Sequence, residues 1–263
     1  MLAGKDSINN MKAKQLLFII VLAICPCLLN AQNLNVAIKQ AQQTEASLDD
    51  LQAIGKYKEA LKLDPSNIYL LCKCSELCSR IGGRLKDDKV KQDDFYKAAK
   101  TYASAALQVN STNSDANFVM ALVMGRDAMR KGGKEKIEAV KDIKKYADLS
   151  IRYDSQNYKA WYVLGKWYYE INNLNYFERT AVKIFYGALP PASIDDALTC
   201  FEKVKLINPG FILNYISLAK AYKKKDEENI AKENLMAMFS LPNKTQDDEK
   251  IKSDGRDLLK KWE

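Results

Sequence analysis

The sequence predicts an all-α protein, an array of antiparallel helix pairs, and three observations predict it. The 263 residues are 47% hydrophobic and 28% charged, enough for one sizeable core or an extended array. Only 11 glycines and 6 prolines punctuate them, and the alternation of Val, Ile and Thr with polar residues that marks half-buried strands is missing. Amphipathic runs end repeatedly in short polar breaks, at Leu63–Asn67, Val109–Asn113, Tyr153–Asn157, Asn208–Gly210 and Leu241–Asn243, and each break is followed by another amphipathic run.

The chain opens on a segment foreign to that array. Met11 to Gln32 has a basic start (Lys12, Lys14), an apolar run from Leu16 to Leu29 interrupted by Pro26, and the small residue Ala31 before Gln32. This is the pattern of a secretory signal peptide, with cleavage after Ala31 and residues 1–10 lying upstream of the true start. The apolar run is shorter than the roughly 20 residues of a spanning helix, so the mature chain is expected to have no transmembrane segment. Lipid attachment at Cys25 is the weaker reading, because Ile24 stands where such sites take a small residue. A periplasmic or secreted protein is expected. Residues 1–31 carry three lysines and one aspartate, so +6 of the formal +8 remains, interleaved with acids at helical spacing. No nucleic-acid partner is expected from so mixed a surface.

Residues 32–46 read as an N-terminal helical segment, residues 47–243 as the repeat array, and residues 244–263 as a capping helix. The interval from Pro209 to Pro242 is 33 residues, close to the 34-residue tetratricopeptide period. The earlier breaks lie further apart. Within AWYVLGKWYY (Ala160–Tyr169), Trp161, Leu164, Gly165 and Tyr168 match the W-x2-L-G-x2-Y pattern of a tetratricopeptide first helix, with Gly165 admitting the paired helix. Ala197, Phe201, Val204 and Pro209 take the second-helix positions after an insertion, residues 172–191, in the third repeat. The next repeat places Tyr215, Leu218, Ala219, Tyr222, Ala231, Leu235 and Met238 on the same positions. Counting from Pro65, Leu71, Cys74, Ser75 and Cys78 fall on a first helix and Ala99, Ala103 and Ala106 on its partner. The fold class is therefore a tetratricopeptide-repeat superhelix with an inserted helix.

Chemistry is sparse. The chain has no histidine, which removes histidine-based nucleophile systems and histidine metal sites. Cys72, Cys74 and Cys78 crowd seven residues, but one helix cannot aim all three at one ion, and Cys74 and Cys78 sit where the repeat buries apolar groups. Buried free thiols are expected, with no metal. Gly82-Gly83 and Gly132-Gly133 read as turns rather than a phosphate loop. Asp195 and Asp196 read as first-turn charges on a helix capped by Ser193. No cofactor and no catalysis are expected.

The stretch Asn172–Phe211, with Pro190-Pro191-Ala192-Ser193 at its centre, resembles the regulator of microtubule dynamics family of tetratricopeptide proteins, and the resemblance runs from about Ala160 to the carboxyl end. It implies a helical adaptor, with microtubules as partner of some eukaryotic members and phospholipid of others. A periplasmic protein meets no microtubules, so the adaptor role carries over without that partner. First-helix residues at the second, fifth, ninth and twelfth places face the concave side of such arrays. Here they select Lys159, Tyr162, Lys166 and Tyr169, then Leu213, Ile216, Lys220 and Lys223. The leading expectation is a non-catalytic scaffold whose aromatic and lysine-lined groove takes a protein or an acidic peptide. The alternative is a phospholipid or another anionic amphiphile in that groove, with Tyr162 and Tyr169 packed on the inserted helix if they do not serve binding.

Overall fold

The computed structural model describes residues 32–187 and 190–262; the leader, its cleavage site and Cys25 lie outside the described residues. All regular elements among them are helices: α1 (32–46), α2 (Asp50–Leu63), α3 (Ile68–Arg84), α4 (Lys89–Val109), α5 (Ser114–Arg130), α6 (Gly133–Tyr153), α7 (Tyr158–Asn173), α8 (Tyr176–Tyr186), α9 (Ile194–Ile207), α10 (Ile212–Lys224), α11 (Glu228–Phe239) and α12 (Asp248–Lys261).

The polar breaks have one local mechanism. At three of them an Asp or Asn side chain accepts from the backbone two residues on: Asp64 from Ser66 at 3.3 Å, Asn110 from Thr112 at 2.9 Å, Asp154 from Gln156 at 2.9 Å. This Asx turn stops one helix. The asparagine three residues after the turn residue then caps the next: Asn67 accepts from Leu70, Asn113 from Ala116, Asn157 from Ala160. A single tetrapeptide thus ends one helix and starts another in a fixed geometry, which is why the breaks were visible in sequence.

Helices pair as the period requires: α3 with α4, α5 with α6, α7 with α9, α10 with α11. The α1 segment is itself paired. Its Ala41 is fully buried in the same core as Tyr57 of α2, whose hydroxyl donates to Glu45 at 2.7 Å. The insertion accordingly falls in the third pair counted from α3, or the fourth counted from α1. First helices also touch one another in succession, α3 to α5 to α7 to α10 and then α12, so they form the inner layer.

Glycine sets the closest approaches. A Cβ at Gly165 would lie 2.7 Å from Phe201 Cε1 and 3.0 Å from Cys200 Cβ, and one at Gly82 would lie 2.7 Å from Tyr96 Cε1. The expected core holds in the third and fourth pairs counted from α3, where Leu164, Phe201, Val204, Leu218, Leu235 and Met238 are all buried. Trp161 is only half-buried, its Nε1 donating to the Ser155 carbonyl, whereas Trp167 is the buried ring and donates to Val140. Ser193 caps α9 in a reciprocal capping box with Asp196.

The inserted helix α8 stands outside the inner layer. It has its own capping box, Asn175 with Glu178, and Arg179 donates to the carbonyls of Ile171, Asn172 and Leu174 at the end of α7. Its body packs on α6, and Tyr176, Phe177 and Ile184 are exposed.

The array bends far enough to meet itself. Just before α12, Gln246 Oε1 accepts from the Asp50 backbone N–H at 3.3 Å, and Asp247 receives the Arg84 guanidinium at 2.9 Å. Asp50, 1% exposed, in turn holds Arg80 at 2.6 Å and Arg84 at 2.7 Å.

Candidate functional site

Equivalent caps put the inner helices in register. Counting from Asn67, Asn113, Asn157 and Phe211, the second-place residues are Tyr69, Asp115, Lys159 and Leu213, and the fifth-place residues are Cys72, Phe118, Tyr162 and Ile216. The ninth place is held by Glu76, Leu122, Lys166 and Lys220, and the thirteenth by Arg80, Arg126, Glu170 and Lys224. These rows run along one side of the inner-layer helices, with Cys72 and Ile216 buried among them.

Of the expected residues of α7 and α10, Lys159, Tyr162, Lys166, Leu213, Ile216 and Lys220 fall in these rows, Tyr169 and Lys223 stand one place before the last of them, and few of their charges are free. Lys159 is not an open cation: both Glu76 carboxylate oxygens accept from it, at 2.7 and 2.8 Å, and its ammonium lies 5.5 Å from the Phe118 ring centre. Lys166 pairs with Glu170 at 2.7 Å and lies over Tyr169 at 5.3 Å. Lys223 pairs with Glu228 and lies over the Trp262 ring. Lys220 is exposed and has no ion pair among the described residues. Ile216 is buried and Leu213 half-buried in the cluster that includes α12 side chains, so that end of the surface is occupied by the protein's own last helix.

The ring contacts of the two tyrosines among the described residues are with partners other than the insertion. Tyr162 meets Phe211 edge-on at 5.1 Å and Phe201 at 5.9 Å, and its hydroxyl lies 3.2 Å from Ser217 Oγ. Tyr169 sits beneath Lys166 and Lys224. Burial pushes the Tyr162 hydroxyl pKa up, against the pull of Lys166 and Arg126. Burial opposes the charge of Lys166, but Tyr162 and Glu170 outweigh it and raise its pKa. Withdrawal from water and the Lys166 charge lower that of Lys220.

Extending the same register to α3 and α5 adds residues that the reading of two repeats missed. Tyr69, Lys73, Glu76, Asp115, Phe118 and Lys159 surround a depression of ≈ 380 Å³, part of it open to solvent. Burial would raise the Glu76 pKa, yet Lys159, Lys73 and Arg80 hold it at about 2. A carboxylate depressed from its ordinary 4.5 contributes stability above that pH and loses it as pH falls toward 2. Glu76→Gln should therefore be less stable than the parent at neutral pH by roughly 3 kcal/mol at most. The gap should close as pH falls through that window in denaturant titrations; a gap independent of pH would assign the loss to packing instead.

Arg126 is the other addition. It lies against α3, 3.4 Å from where a Gly83 Cβ would stand, and 5.7 Å from the Tyr96 ring centre. Its Nε is buried without a hydrogen-bond partner, and it has no ion pair among the described residues.

Cys72, Cys74, Cys78 and Cys200 are free and buried. Burial, ahead of nearby charges, pushes the thiol pKa of Cys72, Cys74 and Cys200 up to about 12 and that of Cys78 to about 11. Thiolate is the reactive form, so all four should resist iodoacetamide in the folded protein and react after denaturation; rapid labelling of any one would show its helix opening locally. Among the described residues no three of His, Cys, Asp and Glu are gathered as a metal site would need, and no helix is long and apolar enough to cross a membrane.

Comparison with known proteins places this geometry among relatives. A protein-family model described as regulator of microtubule dynamics protein 1-3 matches residues 37–263. Regulator of microtubule dynamics protein 3 of Xenopus laevis is 28% identical over 175 residues, covering 66% of this chain and 37% of that protein. The protein 1 of Bos taurus is 24% identical, covering 80% of this chain and 65% of its own length. The protein 1 of Caenorhabditis elegans is 24% identical, covering 80% and 91%. The chain thus spans between 37% and 65% of the Xenopus and Bos proteins. Among solved structures, MamA matches with a TM-score of 0.43 at 18% identity over 85% of this chain and 96% of its own. YrrB, described as a TPR protein with an unusual peptide-binding site, matches at 0.42 and 17% identity over 84% and 90%.

Proposed function

The chain belongs to the regulator of microtubule dynamics family, and from that membership we propose that it is a non-catalytic scaffold that holds a segment of another protein against its inner surface. One observation carries the reading. The inserted helix α8 packs on α6, and among the described residues no helix of the chain lies across the inner rows of α5 and α7. Stacked helix pairs supply an extended concave surface of the kind repeat proteins use for binding. Aromatic rings beneath cations line it, at Phe118 and Tyr169. Rings of this kind provide contact area at low entropic cost, and partners are held through such anchors rather than through total area.

Regulation of microtubule dynamics is what the relatives are named for. That partner is not proposed here, because the leader pattern at Met11–Gln32 points to export, and we place the mature chain in the periplasm or outside the cell. Amino-terminal sequencing of the exported protein should begin at Gln32.

The function is tested by a photo-crosslinking residue placed at Leu122, on the inner layer, and at Lys97, exposed on α4, in the native host. A discrete protein adduct from Leu122 and none from Lys97 is expected. A lipid adduct from Leu122 would replace the protein scaffold by the amphiphile-binding alternative, and equal adducts from both positions would remove the groove from the account.

A further inference from the structure

The inner surface carries a charge imbalance that the fold does not use. Its acids are committed. Glu76 serves Lys159, Asp115 accepts from Asn157, Glu170 serves Lys166, and Asp50 with Glu45 serves Arg80. Among the described residues three inner cations have no acid: Arg126 on α5, and Lys220 and Lys224 on α10, the last donating to Asn173 instead; Arg126 and Lys220 flank Lys166 on α7, the helix between them. The acids bearing on Lys220 are Asp254 of α12, itself paired with Lys250, and Glu170, itself paired with Lys166. Arg126 shows the imbalance most directly, since a buried guanidinium Nε without an acceptor forfeits the desolvation that a bound oxyanion would restore.

The spacing selects the ligand. Neighbouring packed helices lie about 8–10 Å apart, so three cations on three consecutive helices are spread over roughly 20 Å. A single phosphate cannot reach them together, whereas an extended chain covers about 3.3 Å per residue and brings carboxylates to that span within some six residues. The geometry points to Arg126, Lys166 and Lys220, ranged around Tyr162 and Tyr169, as a strip that takes the carboxylates of an acidic peptide segment in extended form. This names the chemistry of the partner and rests on the scaffold reading above.

The test uses decaglutamate as probe, with inorganic phosphate and phosphatidylglycerol vesicles as the other arms, and follows binding to the full mature chain at low and high salt. Decaglutamate should bind, and Lys220→Glu should weaken it about tenfold or more, as loss of a charge-assisted contact does. Arg126→Gln should weaken it similarly, and raising salt should erase the difference. Lys58→Glu and Lys62→Glu, exposed on α2, should change it less than twofold. Because Arg126 also packs on Tyr96, helical circular dichroism is recorded for each variant, and the exposed Lys220 keeps the test open if Arg126→Gln misfolds. Equal losses from the α2 and α10 reversals would overturn the strip, as would vesicle binding that depends on Lys220 while decaglutamate binding does not. If the strip fails while Leu122 still captures a protein, the scaffold stands with a partner of other chemistry; if Leu122 captures none, the scaffold reading itself falls.

Discussion

Gly165→Val should destabilise the protein by about 3 kcal/mol, near the upper end of what overpacking a core costs. The added Cβ would sit 2.7 Å from Phe201 Cε1 and 3.0 Å from the Cys200 Cβ, so neither a ring rotation nor a flexible chain end relieves both contacts. Phe201 is itself fully buried and holds Tyr162 on its other side, so any retreat separates α7 from α9 and disturbs the inner surface. Gly125 supplies the control. It lies inside α5 with nothing within 4 Å of its missing Cβ, and Gly125→Ala should stabilise by about 0.5–1 kcal/mol through helix propensity. Thermal melts of the pair decide the matter: midpoints for Gly165→Val and Gly125→Ala that agree to within about 2 °C would mean that close approach at Gly165 is not what holds the pair together.

Asp50→Ala should cost a comparable amount, about 3–5 kcal/mol, for an electrostatic reason. The Asp50 carboxylate is 1% exposed and accepts from Arg80 and Arg84 together, at 2.6–2.7 Å. Removing it strands two guanidinium groups that are less than a third exposed, and a buried charge that loses its partner costs far more than an exposed one. Among the described residues Arg80 then keeps the longer contact to Glu45 at 3.5 Å, and Arg84 keeps Asp247. Chemical denaturation measures the loss. A cost under about 1 kcal/mol would show that both arginines return to water without penalty.

What was legible in the sequence is what is encoded locally. Asn67, Asn113 and Asn157 mark helix starts because cap and Asx turn lie within four residues, and Gly165 with Phe201 marks a pair because a near-contact of helices demands a residue without a side chain. Partnerships between distant helices were not legible. Lys159 reads as an open groove cation until Glu76, 83 residues earlier, is seen to sit beside it. Leu213 and Ile216 hold groove positions by count, yet α12, more than thirty residues later, packs against them. Residues 32–46 read as a helical segment ahead of the array, and the burial of Ala41 with the Glu45 contacts to Tyr57 and Lys73 reveals it as half of a pair. The side chosen by α8 depends on Arg179 finding the spent carbonyls of α7, a tertiary event with no periodic signature.

An open solenoid has two ends that unravel independently, each at a rate set by its own last pair. The contacts of Asp50 with Gln246 and of Arg84 with Asp247 tie those ends together across a sequence separation of 196 and 163 residues. Neither terminal pair can then peel away without first parting from the other, and a substitution at one end is felt as altered amide exchange at the other. Hydrogen exchange of α1 and α2 in an Asp247→Ala protein reads this directly, since α1 and α2 share no covalent neighbourhood with residue 247. The number of helix pairs between the two contact points also becomes a matter of geometry rather than of addition: one pair more or fewer between them would carry residues 246 and 247 away from Asp50 and Arg84.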